Sequence, residues 1–156
     1  THTTSSAASD VYKRQISNNE NYKIGKAEVV RGGSDVTLVT WGAMLHLAKQ
    51  AADILSSEGI EVEIIDLRTI IPFDAQTCVD SVMRTGRLVI LQEGQWSGGL
   101  GHTIQSRILE SCFYALESAP CVIGALDTPV PFSPPLENHT IPSLEHVLEI
   151  LRTTCN

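Results

Sequence analysis

From Ala27 onward, short runs rich in β-branched and other apolar residues alternate with stretches whose apolar residues recur at helical spacing. Helical spacing places residues three or four apart on one face, whereas the strands of a buried parallel sheet form nearly continuous apolar runs. Strands that are separated by helices favour parallel pairing, with helices covering both faces of the sheet. The sequence therefore predicts one α/β domain with three layers, α/β/α, built from five strands and four helices.

Turn and capping residues set the predicted ends of the elements. Asp74 is predicted to cap a helix that Gly86 closes, because a carboxylate accepts the first free N–H groups and glycine adopts the left-handed C-cap. Gly59 is predicted to end the first helix in the same way, and the four prolines between residues 125 and 135 predict an extended loop. The predicted strands cover 27–30, 36–41, 61–66, 87–91 and 121–124, and the predicted helices cover 43–55, 75–84, about 101–115, and a last helix opened by Pro142 and Ser143.

The charge balance disfavours several classes of partner. The chain has 18 Asp and Glu against 11 Lys and Arg, a formal net charge of −7. Without clustered Lys or Arg, such a chain is not suited to nucleic acid or to an anionic membrane. Its apolar runs fall far short of the ~20 residues that span a bilayer, so we expect a soluble protein.

The four cysteines predict neither a metal site nor a disulfide framework. They lie far apart, form no C-x-x-C pair and have no histidine at ligand spacing. Buried, reduced thiols in a reducing compartment are the expectation.

The start of the chain differs from the rest. Residues 1–21 are mostly small and polar, with no apolar segment of a signal peptide, and we predict a disordered tail there, ahead of a folded domain over 22–156. The first methionine is Met44, inside a predicted helix, so we interpret the chain as a fragment or a processed product.

The stretch from Gln92 to Ile104 has the outline of a phosphate-binding loop, since a strand, a glycine-rich turn and a helix follow one another. Its glycines do not have the G-x-G-x-x-G spacing, the loop follows the fourth strand rather than the first, and Glu93 brings a negative charge. The favoured interpretation is that the glycines permit a tight turn and close packing of the next helix. Glu93 and Trp96 are then free to face a neighbouring surface.

No catalytic constellation emerges from the residues alone. The G-x-S-x-G nucleophile motif is absent, and Glu61 and Glu63 are predicted to lie along a solvated edge of the sheet. Surface or supporting roles are favoured for the histidines that could act as bases, which are His46, His102, His139 and His146.

Five motifs occur in a fixed order along the chain. They are Gly25–Gly42, Glu63–Asp74, Thr85–Leu88, Gln92–Gly94 with Gly98–Gly101, and Asp127–Phe132 with Leu136–Glu137. Together they resemble the transketolase-type C-terminal domain, in the version found in beta subunits of thiamine-diphosphate-dependent 2-oxo acid dehydrogenases. The resemblance runs from about Tyr22 to the end of the chain. Gln92-Glu-Gly94 leans toward pyruvate-type subunits and Asp127-Thr-Pro toward branched-chain ones, and we favour the pyruvate type.

The resemblance implies a mixed five-stranded sheet, mostly parallel, with the first short strand antiparallel to the others. It implies that the complete subunit also has a pyrimidine-binding domain, and that thiamine diphosphate and Mg2+ are bound outside the region present here. The catalytic groups lie outside it as well. This chain alone is therefore expected to bind no cofactor or metal and to be inactive.

The resemblance also implies the partners. These are an alpha subunit and a second beta subunit in an α2β2 tetramer, and the peripheral subunit-binding domain of a dihydrolipoyl acyltransferase, in a bacterial cytoplasm or a mitochondrial matrix. Two alternatives stay open, a freestanding nucleotide-binding domain and the C-terminal domain of another thiamine enzyme such as transketolase. The interface candidates are Glu93, Trp96, Glu117, Asp127 and Asn156.

Overall fold

The computed structural model describes residues 23–156, so the predicted tail over 1–21 lies outside the described residues. Its sheet has the strand order β1-β3-β2-β4-β5. β1 pairs antiparallel with β3, and the pairs β2–β3, β2–β4 and β4–β5 are parallel. The expected mixed sheet with an antiparallel first strand is confirmed. The strands are β1 Glu28–Arg31, β2 Val36–Thr40, β3 Val62–Asp66, β4 Leu88–Gln95 and β5 Cys121–Ala125.

Five α-helices occur among the described residues, one more than predicted. The additional helix is α4, and the prediction of an extended loop across 125–135 missed it. Pro134 and Pro135 occupy its first positions, where the missing N–H of proline is not needed and its fixed φ suits a helix. The helices are α1 Met44–Ser57, α2 Ala75–Thr85, α3 Leu100–Cys112, α4 Pro134–Thr140 and α5 Leu144–Cys155, and a 3-10 turn over Phe113–Ala115 follows α3.

Alternate side chains of the strands fill two apolar cores, one on each face of the sheet. Leu38 and Ile64 pack with α1 and α5, while Val39 and Ile65 pack with α2 and α3. Adjacent residues of one strand thus enter opposite cores, as the two-residue period of a strand requires. The three-layer α/β/α prediction is confirmed. No helix of residues 23–156 is both long enough and apolar enough to cross a membrane.

The predicted helix ends are present in the structure. The Asp74 carboxylate accepts hydrogen bonds from the Thr77 N–H at 3.3 Å and from the Thr77 hydroxyl at 2.9 Å. Gly86 has φ +67 and donates its N–H to the carbonyl of Val82, and Gly59, with φ +86, follows α1. Capping residues therefore fix where α1 and α2 stop.

The prediction that Glu61 and Glu63 line a solvated edge is wrong. β1 pairs with β3 on its outer side, so β3 lies inside the sheet and Glu63 is buried. Its two carboxylate oxygens each accept a hydrogen bond from Arg84 at 2.6 Å. Glu61 precedes β3, and its N–H donates to Asp35 at 2.6 Å.

Candidate functional site

Parallel strands end together at one edge of this sheet, and the loops after β4 and β5 meet there. β4 continues to Gln95, four residues beyond its predicted end. Leu91 is paired with Ile123 and Gln95 with Ala125, so β4 carries two extra residues between these pairs. Such a bulge redirects a strand, and here it brings Trp96 beside the end of β5, where its N–H donates to the Ala125 carbonyl at 2.9 Å.

The glycine loop is filled from inside by the side chain of Gln92. The Gln92 Nε2 donates to the Gln95 carbonyl at 2.8 Å, and its Oε1 accepts from the Gly101 N–H at 2.7 Å. A Cβ at Gly99 would lie 2.0 Å from the Gln92 Nε2. The amide thus occupies the space and the N–H group that a phosphate would use. The structure supports the packing interpretation of these glycines, and the sequence analysis missed the part played by Gln92.

Asp127 holds the two loops together. Its carboxylate accepts hydrogen bonds from the Ser97 N–H at 2.9 Å and the Ser97 hydroxyl at 2.7 Å. These hydrogen bonds lower the pKa of the Asp127 carboxyl, which therefore stays ionised at neutral pH. A second tie joins the Gln95 side chain to the Thr128 carbonyl at 2.8 Å.

Large apolar side chains lie exposed around these ties. Trp96 is 51% exposed, and its ring meets His102 edge to face with centroids 4.9 Å apart. Phe132 is fully exposed. Sequence spacing gave no sign of this cluster, because the loop after β5 joins it only through tertiary contacts. We call the exposed apolar side chains on these loops and on the first turns of the helices after them the carboxyl-edge surface, defined by Trp96, Leu100, Leu126, Val130, Phe132 and Leu136.

Glu117 and Asn156 lie at the opposite edge of the sheet, where the parallel strands begin. The Glu117 N–H donates to the Gly86 carbonyl at 2.8 Å, and its exposed carboxylate pairs with Arg87 at 3.0 Å. The end of α5 lies at this edge too, because Cys155 is close enough to Arg87 and Asp35 to feel their charges. Burial raises the pKa of the Cys155 thiol, and these two charges have smaller, opposing effects. Asn156 is exposed after it.

A shallow cleft of about 310 Å³ lies between the start of β5 and the last turns of α5. Its lining includes Pro120, Ile150 and Thr153. Ser118 also lines this cleft, and its hydroxyl is buried without a hydrogen-bond partner among the described residues. Glu117, Asn156 and this cleft form what we call the amino-edge surface.

The structure therefore separates the five interface candidates into two groups. Trp96 and Asp127 share a cleft at the carboxyl edge, where Glu93 is also exposed near the end of β4, and Glu117 and Asn156 lie at the amino edge. His139 and His146 line a cleft of about 350 Å³ beside Leu126, whereas His46 is exposed on α1. Within residues 23–156, no three His, Cys, Asp or Glu side chains are placed to hold a metal ion.

The fold is that of a transketolase C-terminal domain. The family described as transketolase, C-terminal domain, matches residues 25–147, and the chain belongs to it. A solved split gene transketolase, described as an inactive beta4 tetramer, has a TM-score of 0.70 and 26% identity over 92% of this chain and 45% of that chain.

Among its relatives, the pyruvate dehydrogenase E1 component subunit beta of Rickettsia felis is 38% identical over 136 residues, which are 87% of this chain and 42% of that protein. The mitochondrial 2-oxoisovalerate dehydrogenase subunit beta 2 of Arabidopsis thaliana is 42% identical over 133 residues, 85% of this chain and 37% of that protein. The acetoin:2,6-dichlorophenolindophenol oxidoreductase subunit beta of Cupriavidus necator is 42% identical over 130 residues, 83% of this chain and 38% of that protein. The chain thus spans about two fifths of the length of these curated relatives.

Proposed function

We propose that this chain is the C-terminal assembly domain of the beta subunit of a 2-oxo acid dehydrogenase, with the pyruvate type favoured over the branched-chain type. The observation that carries the proposal is the alignment with pyruvate dehydrogenase and 2-oxoisovalerate dehydrogenase beta subunits over 87% and 85% of this chain. The complete enzyme would decarboxylate a 2-oxo acid oxidatively, in a bacterial cytoplasm or a mitochondrial matrix. This chain would contribute surfaces rather than catalytic groups.

Thiamine diphosphate and Mg2+ belong to the complete enzyme in this proposal. The residues described here do not fit the diphosphate, because the Gln92 amide fills the glycine loop and takes the Gly101 N–H. Glu93 is exposed beside that loop and would repel a phosphate. We therefore expect no heat of binding when the chain is titrated with thiamine diphosphate and Mg2+ in a calorimeter. Tight binding would contradict the proposal.

The two edges have different partners in the proposed assembly. The carboxyl-edge surface would pack against the pyrimidine domain or the other subunits of an α2β2 tetramer. The amino-edge surface would dock the peripheral subunit-binding domain of the acyltransferase, with Glu117 as its charged contact and Asn156 beside it. Exposed ion pairs stabilise by only ~0.2–1 kcal/mol, so Glu117→Ala should weaken this docking modestly, and most at low salt.

A domain exchange tests the proposal directly. Residues 23–156 of this chain would replace the aligned region of the Rickettsia felis beta subunit, which would be expressed with its own alpha subunit. We expect a tetramer that decarboxylates pyruvate, because substrate choice is set mostly outside this domain. A parallel exchange with the Arabidopsis thaliana domain is the control for the junctions. Failure of this chain where that control assembles would refute the proposal.

The C-terminal domain of a transketolase is the second candidate. The split gene transketolase with a TM-score of 0.70 supports it, although its identity of 26% is below the 38% and 42% of the dehydrogenase subunits. Exchange into that transketolase is the matched experiment. Assembly there, together with failure in the dehydrogenase, would favour this candidate.

A further inference from the structure

We propose that the carboxyl-edge surface binds a protein segment that combines apolar side chains with lysine or arginine, and not the same surface on a second copy of this chain. This inference rests on the proposed function for the statement that the surface is an interface. It adds the chemistry of the partner at that interface. Three features carry it, which are the exposed apolar area, its fixed shape and the sign of the charge around it.

Exposed apolar side chains are concentrated on the loops that follow β4 and β5. Trp96 and Leu126 are each 51% exposed, and Phe132 is fully exposed. Large exposed apolar side chains on loops that meet are typical of interaction sites in proteins. A cleft of about 340 Å³ lies between Trp96, Leu126 and His146, and it offers a recess for a partner side chain.

The surface is also held in shape before any partner arrives. Ser97 and Gln95 are tied to the loop after β5 by hydrogen bonds of 2.7 to 2.9 Å. The Leu126 N–H donates to the Thr140 carbonyl at 2.9 Å, which joins that loop to the end of α4. A preorganised surface loses less conformational entropy on binding.

The part of the chain that carries this surface is acidic. Between Leu88 and Leu151 the chain has a single Lys or Arg, Arg107, and it pairs with Glu110 at 3.8 Å. Glu93 and Glu137 are exposed and form no ion pair with any residue of 23–156. Asp127 accepts only from the neutral Ser97 groups, so its charge is not cancelled.

This pattern of charge selects the partner. Two copies that met through this surface would bring carboxylates against carboxylates, which disfavours association. A segment with Lys or Arg between apolar residues would instead pair with Glu93 and Glu137 while its apolar side chains cover Trp96 and Phe132. Aromatic anchors inside a charged rim are the usual anatomy of such an interface.

The test uses two short synthetic peptides with the same leucines at helical spacing, one with lysines and one with glutamates at the remaining positions. Each is labelled with a dye and titrated with the full 156-residue chain at low salt, with fluorescence anisotropy as the readout. We expect the lysine peptide to bind and the glutamate peptide not to bind. Phe132→Ser should weaken binding of the lysine peptide.

Charge variants distinguish the effect of the carboxylates at this surface from the effect of the chain's overall negative charge. Glu93→Gln with Glu137→Gln should weaken the lysine peptide roughly 2- to 30-fold, the range for two exposed ion pairs. The matched control, Asp80→Asn with Glu149→Gln, removes the same charge from α2 and α5 and should change the affinity less than about twofold. The inference would be overturned if both double variants lost the same affinity for the lysine peptide. Equal binding of the two peptides, or no binding of the lysine peptide, would also overturn it.

Sedimentation of the chain measures whether a second copy of the chain binds to this surface. A dimer that Trp96→Ser dissociates would also overturn the inference. The domain exchange above involves no peptide, so the two proposals fail separately. If the chimaera assembles but the lysine peptide does not bind, only the inference about the partner's chemistry is refuted. If the peptide binds but the chimaera does not assemble, only the proposed function is refuted.

Discussion

Gln92 and Gly101 are joined across the start of α3 by a hydrogen bond of 2.7 Å from the glycine N–H to the Gln92 Oε1. Gln92 is almost completely buried, and its other amide atom donates to the Gln95 carbonyl at 2.8 Å. One side chain thus satisfies a free N–H of a helix that has no side-chain cap and fixes the loop that leads to Trp96. The carboxyl-edge surface depends on this packing.

Gly99→Ala should therefore destabilise the chain. Its Cβ would lie 2.4 Å from the Gln95 carbonyl oxygen and 2.0 Å from the Gln92 Nε2, so backbone and side chain must both shift. We expect a loss of about 1–3 kcal/mol of unfolding free energy, the usual range for overpacking. Denaturant midpoints measure it.

Gly94→Ala is the matched control, because a Cβ there meets nothing within 4 Å. We expect a change of less than about 0.5 kcal/mol, as for most surface substitutions. Equal midpoints for the Gly99 and Gly94 variants would show that the loop is not packed as described.

Arg84→Met should destabilise the chain by leaving the Glu63 carboxylate buried and without its partner. Arg84 is itself more than half exposed, so water screens the pair in part. Hydrogen bonds to charged groups stabilise by about 1.5–3 kcal/mol, and we expect a loss of roughly that size in urea unfolding. The double variant Glu63→Leu with Arg84→Met should recover much of it, since replacing both partners removes the buried charge. A double variant no more stable than Arg84→Met would contradict this account.

The Asp74 cap predicts a dependence of stability on pH. Burial raises the pKa of the carboxyl, but hydrogen bonds from Thr77, Ala27 and Lys26 together outweigh it, and the pKa is lowered. A lowered folded-state pKa gives stability that is present above the unfolded pKa of about 3.9 and is lost as the pH falls through the folded value.

Asp74→Asn keeps a capping side chain but removes the charge. At pH 7 it should lower the unfolding free energy by less than the ~0.5–2 kcal/mol of a lost cap. The difference in unfolding free energy from the native chain should shrink between about pH 5 and pH 3. Urea midpoints at pH 7, 5 and 3 measure it. A difference that stayed constant with pH would argue against an ionised cap.

The four cysteines should react in an order set by burial. Burial raises the pKa of Cys78 to about 12, with smaller contributions from Asp74 and Cys112, whereas Cys121 and Cys155 are only half buried. The thiolate is the reactive form, so a thiol reagent at pH 8 should label Cys155 and Cys121 before Cys78. Mass spectrometry of the labelled peptides gives the order. Early labelling of Cys78 would mean that α2 opens easily.

Local patterns predicted most of the fold. The apolar runs located all five strands, and Asp74 and Gly86 located the ends of α2, because capping is decided by a few neighbouring residues. Glu63 was misplaced because the edge of a sheet depends on strand order, and β1 covers β3 from outside. The helix α4 was missed because two prolines that exclude a helix interior are compatible with a helix start.

The site was less predictable than the fold. Trp96 was identified from its place in the loop after a strand, and Asp127 through the family resemblance. The hydrogen bond from Ser97 to Asp127 joins residues 30 positions apart, and no periodicity encodes it. Gln92 is next to the glycines in the sequence, but its role was not predicted. Its filling of the loop depends on the two extra residues of β4, which only the pairing with β5 makes visible.

The reversed direction of β1 decides where the chain enters the domain. Glu28 is paired with Asp66, the last residue of β3, and the Gly25 N–H donates to the Thr69 hydroxyl at 2.9 Å, so the residues before β1 arrive at the edge where the parallel strands end. Five strands spaced ~4.8 Å apart put this entry point about 20 Å from β5, a distance that six or so extended residues can bridge. A domain joined ahead of Lys23 by a short linker would therefore lie beside Trp96 at the carboxyl edge. A parallel first strand would have placed it beside Glu117 at the amino edge.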